Sequence, residues 1–321
     1  MKQLVPLTIA VAALCFAPHA FSQKLLTTIP IGGQPGLLAV NPTTNMIYVP
    51  NTTLNTVTVI DGSTNRVVTN IPVGQGPNAV AVNPVTNLAY VSIAAPPSVT
   101  VIDGSSNAVT AIIPATSPGF IAANPATNTI YFQNGSGAAI SVLDGSSNQI
   151  LDTFSTSTCC LVQGIAVNSV TNRIYVSENG FAEQVVVIDG GTNTFSTFPV
   201  QGVCDLRGVA VDSVLNRIYV ADDICGELYV ISGVTNKTVA TVPGYYGPLT
   251  LSPNSRLIAD FNFNLLGFIN DRTYAVTGGS ASFPINLIAQ NIAANNNNRY
   301  YVTFRNANGI AVVSGPRAGE K

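Results

Sequence analysis

A nine-residue phrase, NPTTNMIYV at 41–49, returns forty-two residues later as NPVTNLAYV at 83–91. A fixed period in this range means one supersecondary unit stacked several times, each copy covering what its neighbour would expose. Taking the polar residue after a short apolar pair as an anchor, copies begin at Asn41, Asn83, Asn124, Asn168, Asp212, Ser252 and Asn295, 40 to 44 residues apart. Five share one frame, and the last two, TLSPNSRLIAD and AANNNNRYYVT, have a turn one residue shorter.

Each copy divides into four strands. Strand a is the short run ending at the anchor, a Pro/Thr/Asn cluster makes a turn, and MIYV opens strand b. A variable loop leads to strand c, as in NTVTVID and PSVTVID. The Asp-Gly of DGSTN, DGSSN and DGGTN makes the next turn, with Gly expected at positive φ and Asp accepting backbone hydrogen bonds. Strand d, such as RVVTNIPV, completes the sheet. No stretch after the leader shows a 3.6-residue apolar period, so the chain reads as all-β. A 40–45-residue period with four strands predicts a seven-bladed β-propeller of antiparallel four-stranded blades. LLTTIPIGG at 25–33 resembles the strand-d segment VVTNIPVGQ at 68–76, and the chain stops just after the seventh strand c. The N-terminal strand is therefore expected to join the last blade and close the ring.

The first residues have the three zones of a secretory signal: Lys2, an apolar run from Leu4 to Ala17, and small residues at Ala20 and Ser22. Cleavage after Ser22 divides the chain into a signal peptide, 1–22, and one propeller domain, 23–321. The apolar run is short for a membrane span, so no transmembrane segment is expected in the mature chain. The expected location is outside the cytoplasm: periplasm, cell surface or medium. Cleavage also removes the single histidine, His19, and the chain has no Trp. Haem and copper sites lean on imidazole, and histidine is the commonest general acid and base; propellers that hold quinones usually stack them on Trp. No cofactor is expected. Charged residues are 9% of the chain, with no basic stripe to displace counterions, which argues against a nucleic-acid partner.

These residues resemble the YVTN β-propeller repeat family of secreted or surface-associated prokaryotic proteins. The likeness rests on Tyr48-Val49-Pro50-Asn51, Tyr90-Val91-Ser92, Tyr175-Val176-Ser177 and Tyr219-Val220-Ala221, followed by Val59-Ile60-Asp61, Val101-Ile102-Asp103 and Val187-Ile188-Asp189. Blade six departs from it, with Ile258 at the tyrosine position. The resemblance implies the propeller fold and export, and it implies no particular activity.

In such a blade the a–b and c–d turns lie on one face of the disk, and the d–a and b–c connections on the other. The repeated turns are read as structural, and any localised function belongs to the second face, where the blades differ. All four cysteines of the mature chain fall there. They allow three pairings; Cys204 with Cys225 is preferred because both loops belong to blade five. That leaves Cys159 and Cys160 as an adjacent pair, either a strained disulfide or a free or redox-active couple. Glu178, Glu183, Asp205, Arg207, Asp222 and Asp223 gather the unusual charge in blades four and five, and read either as a cation or polar-ligand site or as a solvated acidic rim. Arg207 would be the fork for a carboxylate or sulfate. Tyr245 and Tyr246, with Phe261 and Phe263, offer a stacking platform for sugars or peptides.

Three function classes compete. The first is a non-catalytic, monomeric binding or scaffold module for a protein, glycan or envelope component. The second is a metal-assisted hydrolase or lyase, with Asp222 or Asp223 as ligand or base and Arg207 stabilising developing negative charge. The third is a structural cell-surface component. The empty catalytic inventory favours the first.

Overall fold

The computed structural model describes residues 24–158, 160–181, 183–244, 247–252, 257–262, 265–274, 281–282, 289–305 and 307–316. All regular elements among them are strands, and they form seven antiparallel four-stranded sheets. Blade one, for example, runs Ala39–Val40, Met46–Asn51, Thr56–Asp61 and Arg66–Pro72 as strands a to d. The ring closes as the termini predicted. Leu25–Pro30 pairs with Gly309–Ser314, placing Thr27 opposite Val312 and Ile29 opposite Ile310. The chain start thus supplies strand d of blade seven.

The core is not one mass but seven, one per blade interface. Tyr48, Val57 and Val59 of blade one pack on Val80, Ala89, Val91 and Ile102 of blade two. Tyr131, Ile140 and Val142 of blade three do the same with Ile174, Val176 and Ile188 of blade four. The last interface joins Tyr301, Ile310 and Val312 to Leu38, Ile47 and Ile60 across the closure. Strands b and c alternate their side chains between two neighbours, because successive residues point to opposite sheet faces.

The tyrosine of strand b recurs because its buried ring packs on the next blade, and in two blades its hydroxyl also bonds across. The Tyr301 hydroxyl reaches the carbonyl of Gly62 at 3.3 Å and that of Tyr219 reaches the carbonyl of Asp271 at 3.3 Å, each in the c–d turn of the next blade. Opposite the tyrosine, strand c carries a small valine: Tyr48 faces Val59, Tyr90 faces Val101, Tyr131 faces Val142, Tyr175 faces Val187 and Tyr219 faces Val230. Blade six corrects the sequence reading. Thr250 pairs with Ala259 and Leu251 with Ile258, so its a–b connection is as long as those of the first five blades, and Ala259, not Ile258, stands at the tyrosine position. Facing Ala259 is Phe268, fully buried and edge-on to Tyr300 with ring centroids 4.8 Å apart. The large ring has moved to the opposite strand, so the pair keeps its volume.

The repeated turns form a second run of bonds, from blade seven through blade one to blade five. The anchor asparagine accepts its own turn amides, as Thr43 N–H to Asn41 Oδ1 at 2.9 Å. Its amide group donates to the turn-ending asparagine of the next blade: Asn41 to Asn87, Asn83 to Asn128, Asn124 to Asn172, Asn168 to Asn216 and Asn295 to Asn45, at 2.7 to 2.9 Å. Those turn-ending residues sit in the left-handed region, which asparagine tolerates better than most side chains.

The Asp-Gly turn also departs from expectation. Positive φ falls not on Gly62, Gly104, Gly145 or Gly190 but on Asn65, Asn107, Asn148 and Asn193 three residues later. The glycine is required instead by close approach. Gly104 donates to the carbonyl of Asn87 at 2.9 Å, and a Cβ there would run into that asparagine and the Tyr48 hydroxyl. The aspartate does accept as expected, Asp61 Oδ1 from the Ser63 amide at 2.8 Å.

Candidate functional site

The strands a of neighbouring blades touch around the ring axis and enclose a channel of about 1060 Å³. Its wall is apolar, with Leu38, Val80, Phe120, Ile165 and Leu249 contributed by five blades. Near the start of strand a the lining turns polar. Asn78, Gln163, Arg207 and Gln290 line the channel, and each lies five residues before its anchor. Asp223 and Arg305 join them from the connections between strands b and c.

Arg207 lies in strand a, Leu206–Asp212, rather than in the loop before it. Its Nε is 3.1 Å from Asp205 Oδ2 and 3.2 Å from Asp223 Oδ2. Asp205 Oδ1 in turn accepts from Asn179 Nδ2 at 2.5 Å, and Asn179 Oδ1 accepts from Gln163 Nε2 at 2.9 Å. A chain of five polar side chains, Gln163, Asn179, Asp205, Arg207 and Asp223, therefore spans blades four and five through the guanidinium. Burial, with the charges of Asp205 and Asp222 close by, raises the Asp223 carboxyl above its ordinary value, against the lowering pull of Arg207.

Three carboxylates read as candidate ligands are bonded within the fold instead. Asp222 is fully buried and accepts the amides of Cys204, Asp205, Ile224 and Cys225 at 2.8 to 3.2 Å. It holds the d–a loop against the b–c turn. The Cys204–Cys225 disulfide, with Cα atoms 5.7 Å apart, clamps the same two segments, as the shared blade suggested. Glu178 is buried within strand b of blade four, bonded to the Thr156 hydroxyl and, at 2.8 Å, to Gln184. Glu183 likewise accepts the Gly180 and Leu206 amides at 3.2 and 2.9 Å. A solvated acidic rim is thus corrected for Asp222 and Glu178: neither faces water, because hydrogen-bond donors within the fold compensate their burial.

Cys160 is buried at the head of strand a of blade four. Cys159, Tyr245, Tyr246 and Phe263 lie outside the described residues, and the Phe261 side chain is likewise not described. Sequence reasoning missed Gln163, Asn179, Gln290 and Arg305. For Gln163 and Gln290 a signal existed, since they share Arg207's place relative to the anchor. Cys204, Asp222 and Cys225 have the donor types of a metal site within 4.8 Å of one another, but both sulfurs are joined in the disulfide.

Solved structures share the architecture. Kuenenia stuttgartiensis hydrazine synthase superposes with a TM-score of 0.74 at 16% identity, covering 93% of this chain and 99% of that one. The β-propeller domain of Myceliophteria thermophila Cps50 (Swd1) gives 0.75 at 9% identity, covering 91% and 99%. At these identities the likeness is one of fold alone. No protein-family model matches the sequence, and no curated protein matches it. Among the described residues no helix is long and apolar enough to cross a membrane.

Proposed function

We propose that this chain is an exported, non-catalytic β-propeller of the YVTN-repeat kind, monomeric, which binds a partner or ligand at the channel mouth on its variable face. The leader at 1–22 carries the export part of this reading. One observation carries the binding part: the anchor asparagines and turn aspartates of the repeated face bond within their own turns and to the next blade, whereas unlike side chains from blades two, four, five and seven line one opening. Ligand sites are typically concave and apolar with a few placed polar groups, and this mouth has that make-up.

The hydrolase or lyase alternative now rests on Asp223, because Asp222 is engaged by four backbone amides. Its raised carboxyl suits a general acid, so turnover is the discriminating readout. The test is thermal unfolding with Ca²⁺, a chelator, glycans and peptides, followed by product analysis of any ligand that binds. A ligand at a hundred times its Kd adds about 2.7 kcal/mol. A shift without turnover supports the reading, and a product sinks its non-catalytic part. Concentration-dependent assembly with no ligand shift would favour the structural surface component.

A further inference from the structure

The next inference rests on the reading of the mouth as a binding site and names its ligand. Arg207 is gripped from one side. Both of its ion pairs run through Nε, and among the described residues no group engages Nη1 or Nη2. Asp205, which holds it, is itself fixed by Asn179 and by the segment that Asp222 and the disulfide secure. The guanidinium is therefore pre-oriented, with a terminal fork left for a planar oxyanion. Arg305 lines the same channel from blade seven and has no ion pair among the described residues.

A carboxylate alone does not complete the site. Gln290 lines the channel and is half-buried, and its Oε1, closed off from solvent, has no hydrogen-bond partner among the described residues. A buried acceptor without a donor is costly, and a carboxylate has no proton to give it. A ligand that also carries donors meets that acceptor once the Gln290 side chain turns toward the channel. Asn78, Gln163 and Gln290 stand on three different blades, so those donors and acceptors are spread around a ring rather than along a line. Hydroxyls on a sugar ring fit that distribution, and the apolar wall below fits its C–H face. A peptide C-terminus presents a single amide beside its carboxylate.

We infer that the channel mouth binds the uronate end of an acidic saccharide, with Arg207 and Arg305 taking the carboxylate and Gln290 accepting from a ring hydroxyl. Arg207 and Arg305 are balanced by Asp205 and Asp223, and Asp222 close by adds a further negative charge, so selectivity comes from the geometry of the fork rather than from a long-range positive field.

Calorimetric titration of the purified protein with digalacturonate, its methyl ester and a tripeptide with a free C-terminus tests this. Digalacturonate binds, the ester binds at least about tenfold more weakly, and the tripeptide does not bind. Arg207→Lys keeps the charge and loses the fork, and weakens digalacturonate about tenfold, a charge-assisted bond's worth. Arg305→Gln removes no described side-chain contact, keeps the melting temperature and also weakens binding. Equal binding of the ester, or tripeptide binding in preference to digalacturonate, overturns the assignment and leaves the mouth a binding site. Release of monogalacturonate supports the site and overturns the non-catalytic reading. If none of the three binds, the assignment is overturned, and the wider ligand panel judges the binding role separately.

Discussion

The two faces of the disk are built from the same kinds of connection and solve opposite problems. On the repeated face, Asn41 and its asparagine counterparts tie the blades in series from seven round to five, buried tyrosines pack across the interfaces, and glycines admit the crossing chains. On the variable face the loops differ in every blade, and blade five needs a disulfide and a buried aspartate to fix its own. Phe181 there is 95% exposed. Repetition serves where every blade meets the same neighbour; variation serves where the blades together meet something else.

That contrast can be broken most sharply at Gly104. A Cβ there meets the Tyr48 hydroxyl and Asn87, so Gly104→Ala should cost about 3 kcal/mol, the upper end of overpacking at a tight site, read as a lowered melting temperature. A similar loss is expected for Phe268→Val, which empties the blade-six interface. Ala259→Tyr added to it should restore part of that stability, and a double-mutant cycle with no coupling would refute the exchange of rings. Replacing Cys204 and Cys225 by serine opens a link across 21 residues and should cost about 3 kcal/mol by chain entropy, loosening the grip on Arg207 while leaving the other blades' hydrogen-exchange protection intact.

A smaller effect is expected from base. Burial, with Asp144 and Asp189 of the following blades adding to it, pushes Tyr90 and Tyr131 up to about 12. An unfolded tyrosine ionises near 10, so the unfolded chain releases its protons first. Stability is then full below pH 10 and falls as pH rises toward 12; a flat melting temperature over that window would contradict the buried interface tyrosines. Least of all should follow from Phe181→Ala, within about 0.5 kcal/mol.

Much of the architecture was legible because a 42-residue echo can be read without coordinates, and the matching N-terminal segment announced the closure. Blade six was misread for a physical reason. Ile258 and Ala259 are both small apolar residues, and only strand pairing reveals that Phe268 replaces the missing ring. The Asp-Gly signal misled similarly: in a two-residue hairpin the glycine takes positive φ, but these turns are longer and pass that conformation to asparagine. At the site, Arg207, Asp205 and Asp223 stood out as charges in the variable connections of a chain that is only 9% charged. Charge alone did not reveal that the oxygens of Asp222 and Glu178 were already taken by donors within the fold. Arg305 needed the ring itself, which puts blades five and seven on one channel.

The most direct test measures melting temperature and digalacturonate affinity together on two variants, Asn124→Ala on the repeated face and Arg305→Gln at the mouth. The account predicts that Asn124→Ala lowers the melting temperature and leaves affinity unchanged, and that Arg305→Gln does the reverse. Loss of binding in Asn124→Ala with native stability, or loss of stability in Arg305→Gln with native binding, would contradict the division of labour between the two faces.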